Sequence, residues 1–473
     1  MIERSPFRVR AAGPLDLLTF ALLALAAAVV LFGGIRFFAG NWRISATSTW
    51  RLLALAALVA GARHVLLPRP AAPARALAAI ASARAAIRST RFRAVAPIWL
   101  VTRLGVLVVA FLAVATIGVA PQAERLRVSG NPLWNLPYRW DTGWYLAIAV
   151  EGYQWNPAGA QQRIAFFPAF PMLMRGGGAV LGGRVDGPRT PASIERLRTR
   201  TLLAGWLLAL AASLAALFAL YTWACDLGGR RVAIASVALL STYPFALYFS
   251  AAYTEPFFLL ATISAFNAVR SRRAVTAGAW GLFMGLVRPN GFLVALPLML
   301  MAWQQRSRDW RLWMATVMPG VGVLIFSAYL MSLTGRPLVW LEAHASWGRT
   351  PPTWEGSVAQ PLQQLAQEGA VHYALTEPYQ LLNGAALLFA IALLPAVWRR
   401  LGAAPALFAI VMILPPLFAG GLMSMGRITA TVFPLFVALA AVVPRRRLPV
   451  WLVLFALVQG LAAALFFTWR PLV

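Results

Sequence analysis

Long apolar blocks alternate along the chain with short loops that carry arginine. A helix needs about 20 mostly apolar residues to cross a bilayer. Blocks of that kind occupy residues 15–38, 97–120, 202–224, 312–333 and 451–467. The first block is too long for the apolar region of a signal peptide, and no small-residue cleavage site follows it, so we interpret it as a retained anchor. With the shorter apolar stretches included, the pattern predicts an all-α polytopic membrane protein with about 11–13 crossings.

The arginines predict an orientation, because positive residues in short loops stay on the cytoplasmic side of a membrane. They cluster at 63–93, 230–231, 270–273, 306–311, 399–400 and 445–447. With these clusters in the cytoplasm the blocks alternate, provided that Arg288-Pro289-Asn290-Gly291 forms a tight hairpin, as proline and glycine indicate. Two long polar segments, about 121–200 and 334–380, then lie outside. Most acidic residues lie in or beside them, so we expect the polar chemistry to face outward.

This scheme divides the chain into four parts. Residues 1–70 hold a pair of transmembrane helices, 71–96 a basic cytoplasmic segment, 97–443 the core with both outer segments, and 444–473 the last transmembrane helix. The alanine- and arginine-rich segment 63–93 fits an interfacial helix or a solvated basic loop equally well. We find no internal repeat of the kind that marks many transporters.

Charge and composition narrow the function classes. The chain has 473 residues, of which 60% are hydrophobic and 12% charged, and its formal net charge is +28. Nucleic-acid binding is not expected, because it needs a basic face on a soluble domain, and the sequence has no such domain. All 42 basic residues are arginine, and this lysine-free, alanine-rich composition suggests a bacterium of high GC content. A single cysteine, Cys225, excludes an intrachain disulfide and a thiolate metal cluster.

Asp141 is the first candidate for chemistry. It lies in the first outer segment beside an arginine and among aromatic residues. The apolar and aromatic run that follows fits a short helix in the membrane interface, with this carboxylate near its start. A carboxylate in that place also has a simpler explanation, since it can cap the free N–H groups of a helix.

Several metal and phosphate motifs are missing. The sequence contains no Asp-x-Asp, no His-Glu-x-x-His and no Walker loop. With three histidines and one cysteine, a transition-metal site is not expected either. The sequence therefore demands no cofactor, although a divalent ion shared by Asp141 and Glu255 stays open as an alternative.

Five short motifs occur in order between residues 97 and 443. They are Trp140-Asp141 with Glu151-Gly152-Tyr153, then Phe166-Phe167-Pro168-Ala169-Phe170-Pro171, Tyr253-Thr254-Glu255, Arg288-Pro289-Asn290-Gly291, and Gly426-Arg427 before Phe433-Pro434-Leu435. Together they resemble the signature of the PIG-V family, whose members include GPI mannosyltransferase II and bacterial relatives. The helices before Pro97 are not part of that pattern. The resemblance implies a GT-C fold, in which outer loops cover an active site among transmembrane helices.

The resemblance also implies roles for individual residues. Members of the superfamily use lipid-phosphate sugars, and their catalytic acid lies in the first large outer loop, where Asp141 is the matching residue. A hydroxyl acceptor needs a general base, and a phosphate leaving group needs cationic stabilisation. Arg288 is the first candidate for the phosphate, because a charge flanked by apolar helix is costly without a partner or a function. An internal ion pair between Arg288 and Glu255 is equally compatible with the sequence.

Other residues complete the predicted site. Arg427 and Arg139 are further candidates for the donor phosphate. A plain interfacial aromatic belt explains Trp347 as well as sugar binding does. The predicted substrate-binding residues are Trp140, Tyr145, Phe167, Tyr253, Glu255, Asn290, His344, Trp347 and Arg349.

The sequence thus predicts a membrane glycosyltransferase. We expect it to transfer a sugar, mannose by resemblance, from a polyprenyl-phosphate donor to an acceptor hydroxyl, with inversion, on the outer face of a bacterial plasma membrane. The acceptor could be a glycolipid, a glycan or a protein. A lipid-linked sugar transporter or flippase is one alternative, but transporters place polar groups near the midplane of the bilayer. Another carrier-lipid enzyme, such as an oligosaccharide ligase or polymerase, is the second.

Overall fold

The structure is a computed structural model that describes residues 6–32, 35–39, 42–46, 48–66, 89–123, 126–157, 161–183, 190–347 and 360–471. This part of the chain is almost entirely helical, apart from one antiparallel hairpin formed by β1 (Ile35–Ala39) and β2 (Trp42–Ala46). The α-helices are α1 (Pro6–Phe32), α2 (Thr49–Leu66), α3 (Thr90–Thr116), α4 (Thr142–Glu151), α5 (Ala169–Val180), α6 (Pro191–Thr242), α7 (Glu255–Arg270), α8 (Ala274–Val287), α9 (Ala295–Gln304), α10 (Trp310–Thr334), α11 (Val339–Ala343), α12 (Gln360–Glu368), α13 (Ala370–Thr376), α14 (Pro378–Leu401), α15 (Ala403–Gly420), α16 (Met425–Thr429), α17 (Phe433–Val442) and α18 (Leu448–Phe467).

The predicted polytopic helical membrane protein is confirmed, but the number of full-length spans is smaller than expected. Among the described residues six helices are long and apolar enough to cross a membrane, or seven when one bent pair is included. The expected 11–13 crossings count every apolar stretch as one crossing, including those too short to span a bilayer. Helices α8 and α17 are apolar but short. Helix α6 counts once although its backbone is not helical at Gly229.

The first apolar block needs a correction. Residues 15–38 were expected to form one continuous anchor, yet α1 ends at Phe32 and β1 begins at Ile35. The last residues of the block therefore belong to the hairpin. Residues 67–88, which include most of the basic segment 71–96, lie outside the described residues.

The chain forms two compact units. The first comprises Met1–Arg93 and Met174–Ala204, and the second Ala94–Leu173 and Gly205–Val473. In the first unit, α1 and α2 pack through small and aliphatic side chains, and the buried Arg63 donates from Nε to Asp16 Oδ1 at 3.0 Å. All the described candidate site residues belong to the second unit. The four-part domain scheme stays a prediction.

One span of the second unit is broken. Helix α6 ends at Thr242, a 3₁₀ turn follows at Pro244–Ser250, and α7 starts at Glu255. The turn and α7 differ in direction by 100°. Pro256 stands in the first turn of α7, where a missing N–H costs no helical hydrogen bond. The break puts Tyr253, Thr254 and Glu255 at the start of a buried helix.

Helices α8 and α10 lie close together because glycines face each other. A methyl group on Gly285 would overlap the Pro319 carbonyl oxygen, and one on Gly322 would overlap the Leu282 carbonyl oxygen. Small residues at such contacts are typical of membrane helix pairs, whose association depends on close packing. This contact supports the Arg288-Pro289-Asn290-Gly291 break, which begins where α8 ends.

We predict that Gly285→Ala destabilises the protein by about 1–3 kcal/mol, because the added methyl group forces α8 and α10 apart. The matched control is Gly320→Ala in α10, since nothing lies within 4 Å of that methyl position. Thermal unfolding in detergent measures both. Equal melting temperatures for the two variants would contradict the predicted close contact.

Candidate functional site

Asp141 stands at the start of α4, as the sequence predicted. Its side chain makes no capping hydrogen bond to that helix, so the capping interpretation is wrong. The backbone N–H of Asp141 donates to Tyr253 Oη at 3.1 Å. Thr142 Oγ1 donates to the carbonyl oxygen of Ala252 at 3.2 Å. The first outer segment is therefore bonded directly to the break that precedes α7.

Four charged side chains form a continuous chain of ion pairs. Arg427 Nη1 donates to Asp141 Oδ2 at 2.5 Å, and Arg427 Nε donates to Glu255 Oε1. The same Glu255 oxygen lies 3.1 Å from Arg288 Nη1, which confirms the predicted ion pair. The two negative carboxylates and the two positive guanidinium groups give the cluster a formal net charge of zero. Asp141 is 21% exposed and Glu255 is 0% exposed, so Asp141 is the carboxylate that solvent reaches.

Arg427 is the centre of this cluster. Burial alone would lower its pKa, but the Glu255 and Asp141 carboxylates raise it, so the side chain stays charged. Its guanidinium carbon lies 4.7 Å from the centre of the Tyr253 ring, in a cation–π contact. Tyr145 Oη lies 3.5 Å from Arg427 Nη2. Burial raises the pKa of Tyr145, so this hydroxyl stays neutral and can donate a hydrogen bond.

Arg427 lies on the short helix α16, and two contacts of the neighbouring Gly426 hold this helix in place. The Gly426 N–H donates to Asn383 Oδ1 at 2.8 Å, from the buried side of α14. Gly426 has no room for a side chain, because a methyl group there would overlap the ring of Phe245. Phe245 belongs to the 3₁₀ turn of the broken span, so Gly426 fixes the distance between α16 and that turn.

Aromatic rings of the two outer segments pack together beside the charges. Trp144 stacks on Phe166 with ring centres 5.7 Å apart, and Trp347 meets Trp144 edge-on at 5.3 Å. Tyr145 joins them to the cluster, since its ring lies 5.4 Å from that of Phe166. The structure therefore brings Trp347 and Tyr145 to the Asp141 side, as expected for substrate-binding residues. Their contact with a substrate stays a prediction.

Phe167 has a different environment from the one predicted. It is buried, with its ring 4.7 Å from that of Phe326 and 5.4 Å from that of Trp340. These rings belong to an apolar core that holds the two outer segments together. The structure thus gives Phe167 a packing role.

Arg139 and Trp140 lie against the end of the last helix. Arg139 Nε donates to the Phe467 carbonyl oxygen at 2.6 Å, and its Nη1 donates to backbone carbonyls of Asn135 and Tyr138. Burial lowers the pKa of Arg139 to about 10. The ring of Trp140 packs on Trp469 at 5.3 Å. Carbonyl groups accept from Nε and Nη1 of Arg139, so the structure does not support its predicted role at the donor phosphate.

Three further candidates are spread along the chain. Asn290 lies in the turn after α8, with its buried Oδ1 lacking a hydrogen-bond partner and its Nδ2 4.0 Å from Met412 Sδ. The imidazole of His344 lies edge-on to the Trp340 ring, with centres 6.3 Å apart. Arg349 lies outside the described residues. For all three, a substrate contact stays a prediction.

Sequence reasoning missed Arg103 and Asn383, two polar side chains that bond to the elements carrying the site residues. Arg103 is buried in α3 and Asn383 is buried in α14. The signal that pointed to Arg288, a polar or charged residue within an apolar block, was present at both positions. Neither position lies in one of the five motifs, so the resemblance did not point to it.

Arg427 occupies the space between Asp141 and Glu255 that a shared divalent ion would need. Among the described residues no group of three or more histidine, cysteine, aspartate or glutamate side chains could hold a metal ion. The expectation that no cofactor is required stays a prediction.

Residues 118–343 match the family model described as Mannosyltransferase (PIG-V). The matched segment contains Asp141, Glu255 and Arg288, which supports the resemblance predicted from the motifs. Arg427 lies beyond it and joins the site through the fold. A comparison with curated proteins found none that matches the chain. The family match supports a membrane glycosyltransferase.

We predict that Gly426→Ala lowers activity strongly, because its methyl group must push Phe245 or α16 aside and so move Arg427. A 1 Å displacement of a site can cost about 100-fold in rate. The control is Gly384→Ala in α14, where the nearest atom would lie at an ordinary 3.7 Å. Sugar transfer by the two purified variants measures the difference. Wild-type activity in Gly426→Ala would contradict the predicted positioning.

Proposed function

Because residues 118–343 match the family model described as Mannosyltransferase (PIG-V), we propose that the protein transfers mannose from a polyprenyl-phosphate carrier to an acceptor hydroxyl. The acceptor is a glycolipid, a glycan or a protein at the outer face of a bacterial plasma membrane. The observation that carries this proposal is the pair of guanidinium groups that meet on one oxygen of Glu255, next to the more exposed carboxylate of Asp141.

The two arginines suit a phosphate leaving group. The donor is a phosphodiester with one negative charge, and the departing polyprenyl phosphate gains a second one as the bond to the sugar breaks. Cationic groups placed beside that phosphate stabilise the transition state more than the bound donor, which is what accelerates a reaction. Arg288 Nη1 is buried and, beside its ion pair with Glu255, makes no hydrogen bond among the described residues, so it keeps an N–H donor for a phosphate oxygen.

Glu255 has a positioning role in this scheme. Two guanidinium groups repel each other, and a carboxylate between them offsets that repulsion. Its Oε1 contacts both Arg427 and Arg288. Because it is fully buried, Glu255 is poorly placed to take a proton from an acceptor.

Asp141 is the proposed general base. It takes the proton of the acceptor hydroxyl while the acceptor oxygen forms a bond to the anomeric carbon of the sugar. The bond between that carbon and the phosphate oxygen breaks with its electron pair going to the polyprenyl phosphate. Attack from the face opposite the phosphate inverts the anomeric configuration. In this arrangement Asp141 acts on the acceptor side of the sugar and Arg288 on the phosphate side, and Arg427, which is bonded to Asp141 and Glu255, links the two sides.

The direction of the helices supports an outer site. Glu255 begins α7, and Arg270 ends it. Likewise α14 begins beside the outer segment at Pro378 and carries Arg399 and Arg400 in its last turn. Since arginine-bearing short loops stay in the cytoplasm, the ends that carry the charge cluster face the opposite side.

We expect the purified protein to consume a short-chain polyprenyl-phosphate mannose when membrane lipids are supplied as acceptors. Asp141→Asn should lose about 100-fold to 10,000-fold in kcat, because an amide cannot accept the proton. The matched control is Glu151→Gln at the other end of α4, an exposed carboxylate paired with Arg163. Carrier consumption with equal rates in wild type and Asp141→Asn would remove Asp141 as the base. No consumption by any of them, with this and other carrier sugars, would contradict the reaction itself.

A further inference from the structure

Backbone that is not α-helical at membrane depth leaves carbonyl groups without partners. The last carbonyls of a helix have no intrahelical donor, and the hydrocarbon region offers no water. In this chain the problem arises at the end of α6 and along the Pro244–Ser250 turn, where residues 241–250 are buried apart from the partly buried Thr242. Side chains from other helices must therefore supply donors.

Arg103 supplies three of them. From α3 it donates through Nη2 to the Ser241 carbonyl oxygen at 2.6 Å, through Nη1 to the Ala246 carbonyl oxygen, and through Nη1 to Ser250 Oγ at 3.1 Å. Its guanidinium also lies over the Phe249 ring at 5.9 Å. These contacts reach both ends of the turn.

Two more side chains donate hydrogen bonds to carbonyl groups around the turn. Gln459 of α18 donates to the Ser241 and Tyr243 carbonyl oxygens at 3.1 and 2.7 Å. Trp206 of α6 donates to the Ser250 carbonyl oxygen at 2.8 Å. Arg103 differs from both because it carries a charge, which is expensive within an apolar span unless it has a function. Among the described residues its partners are carbonyl and hydroxyl oxygens, with no carboxylate.

The turn leads directly into the site. Ala252, Tyr253 and Glu255 follow it within five residues, and each contacts the site. Ala252 and Tyr253 accept the hydrogen bonds of Thr142 and Asp141, and Glu255 holds the two arginines. A shift of the turn therefore moves all three together.

We infer that Arg103 is a positioning residue for the transfer reaction. It holds the non-helical turn of the broken span and so places Glu255 and its arginines against Asp141. Arg103 touches no substrate in this scheme. It acts through the backbone of residues 241–250.

The first test measures position directly and does not depend on the proposed function. Cys225 is the chain's single cysteine, so Cys225→Ser gives a background for the pair Thr142→Cys and Ala252→Cys. Both positions are buried, so the two thiols should be joined directly as a disulfide by molecular iodine, a small apolar oxidant that enters membranes. We expect Arg103→Met to lower the yield of this cross-link several-fold. Trp99→Phe, the matched control in α3, loses a hydrogen bond to Ser213 and should keep the yield.

The second test measures activity and rests on the proposed function. At temperatures well below unfolding, Arg103→Met should lose about 100-fold in kcat/KM, the cost of a displaced site. Trp99→Phe should stay within about threefold of wild type, as expected when a mutation leaves the site in place. Arg103→Lys should recover part of the cross-linking yield and part of kcat/KM, since an ammonium can donate to some of the same carbonyls.

The outcomes separate the positioning role of Arg103 from the proposed sugar transfer. If Arg103→Met does not fold, Arg103→Lys and Arg103→Gln carry the comparison, because both keep N–H donors. Lower cross-linking in these variants than in Trp99→Phe supports the inference even if wild type transfers no sugar, in which case only the proposed function fails. Equal cross-linking in the cysteine-pair protein with Arg103 intact and in every folded Arg103 variant of it would overturn the inference.

Discussion

The contact of one guanidinium group with two carboxylates holds this site together. Arg427 bonds to Asp141 in the first outer segment and to Glu255 at the start of α7, and α16 places it between them. These three elements are far apart in the sequence. Buried charges are costly unless they are paired and hydrogen-bonded, so removing any one member would leave the others uncompensated. The cluster is therefore a condition for the local packing and, in the proposed function, also the chemical centre of the protein.

The same cost explains why the helices are broken where they are. A carboxylate or a guanidinium inside the bilayer needs backbone and side-chain partners that a straight apolar helix cannot offer. The 3₁₀ turn before α7 and the break after α8 place Glu255 and Arg288 at helix ends, where the chain can approach Asp141. Polar residues from α3 and α18 satisfy the carbonyls that the first break exposes. Non-helical backbone at membrane depth is tolerated only where protein encloses it.

Part of this arrangement was predictable from local patterns. Apolar length predicted the helices, and the run after Asp141 predicted α4, because both depend on neighbouring residues. The Arg288 and Glu255 pair followed from the cost of a charge among apolar residues. The sequence pattern did not indicate that Arg427 pairs with two carboxylates, since its place between them depends on contacts of Gly426 with Asn383 and Phe245. Arg103 was missed for the same reason, as its partners lie more than a hundred residues away. Residue spacing does not encode such pairings.

The most direct measurement of the central claim is an experimental structure of the protein with a non-transferable analogue of polyprenyl-phosphate mannose. The account predicts that phosphate oxygens contact the guanidinium groups of Arg288 and Arg427, with the anomeric carbon facing Asp141 and Glu255 still between the two arginines. A phosphate bound away from both arginines, with Asp141 remote from the sugar, would contradict it.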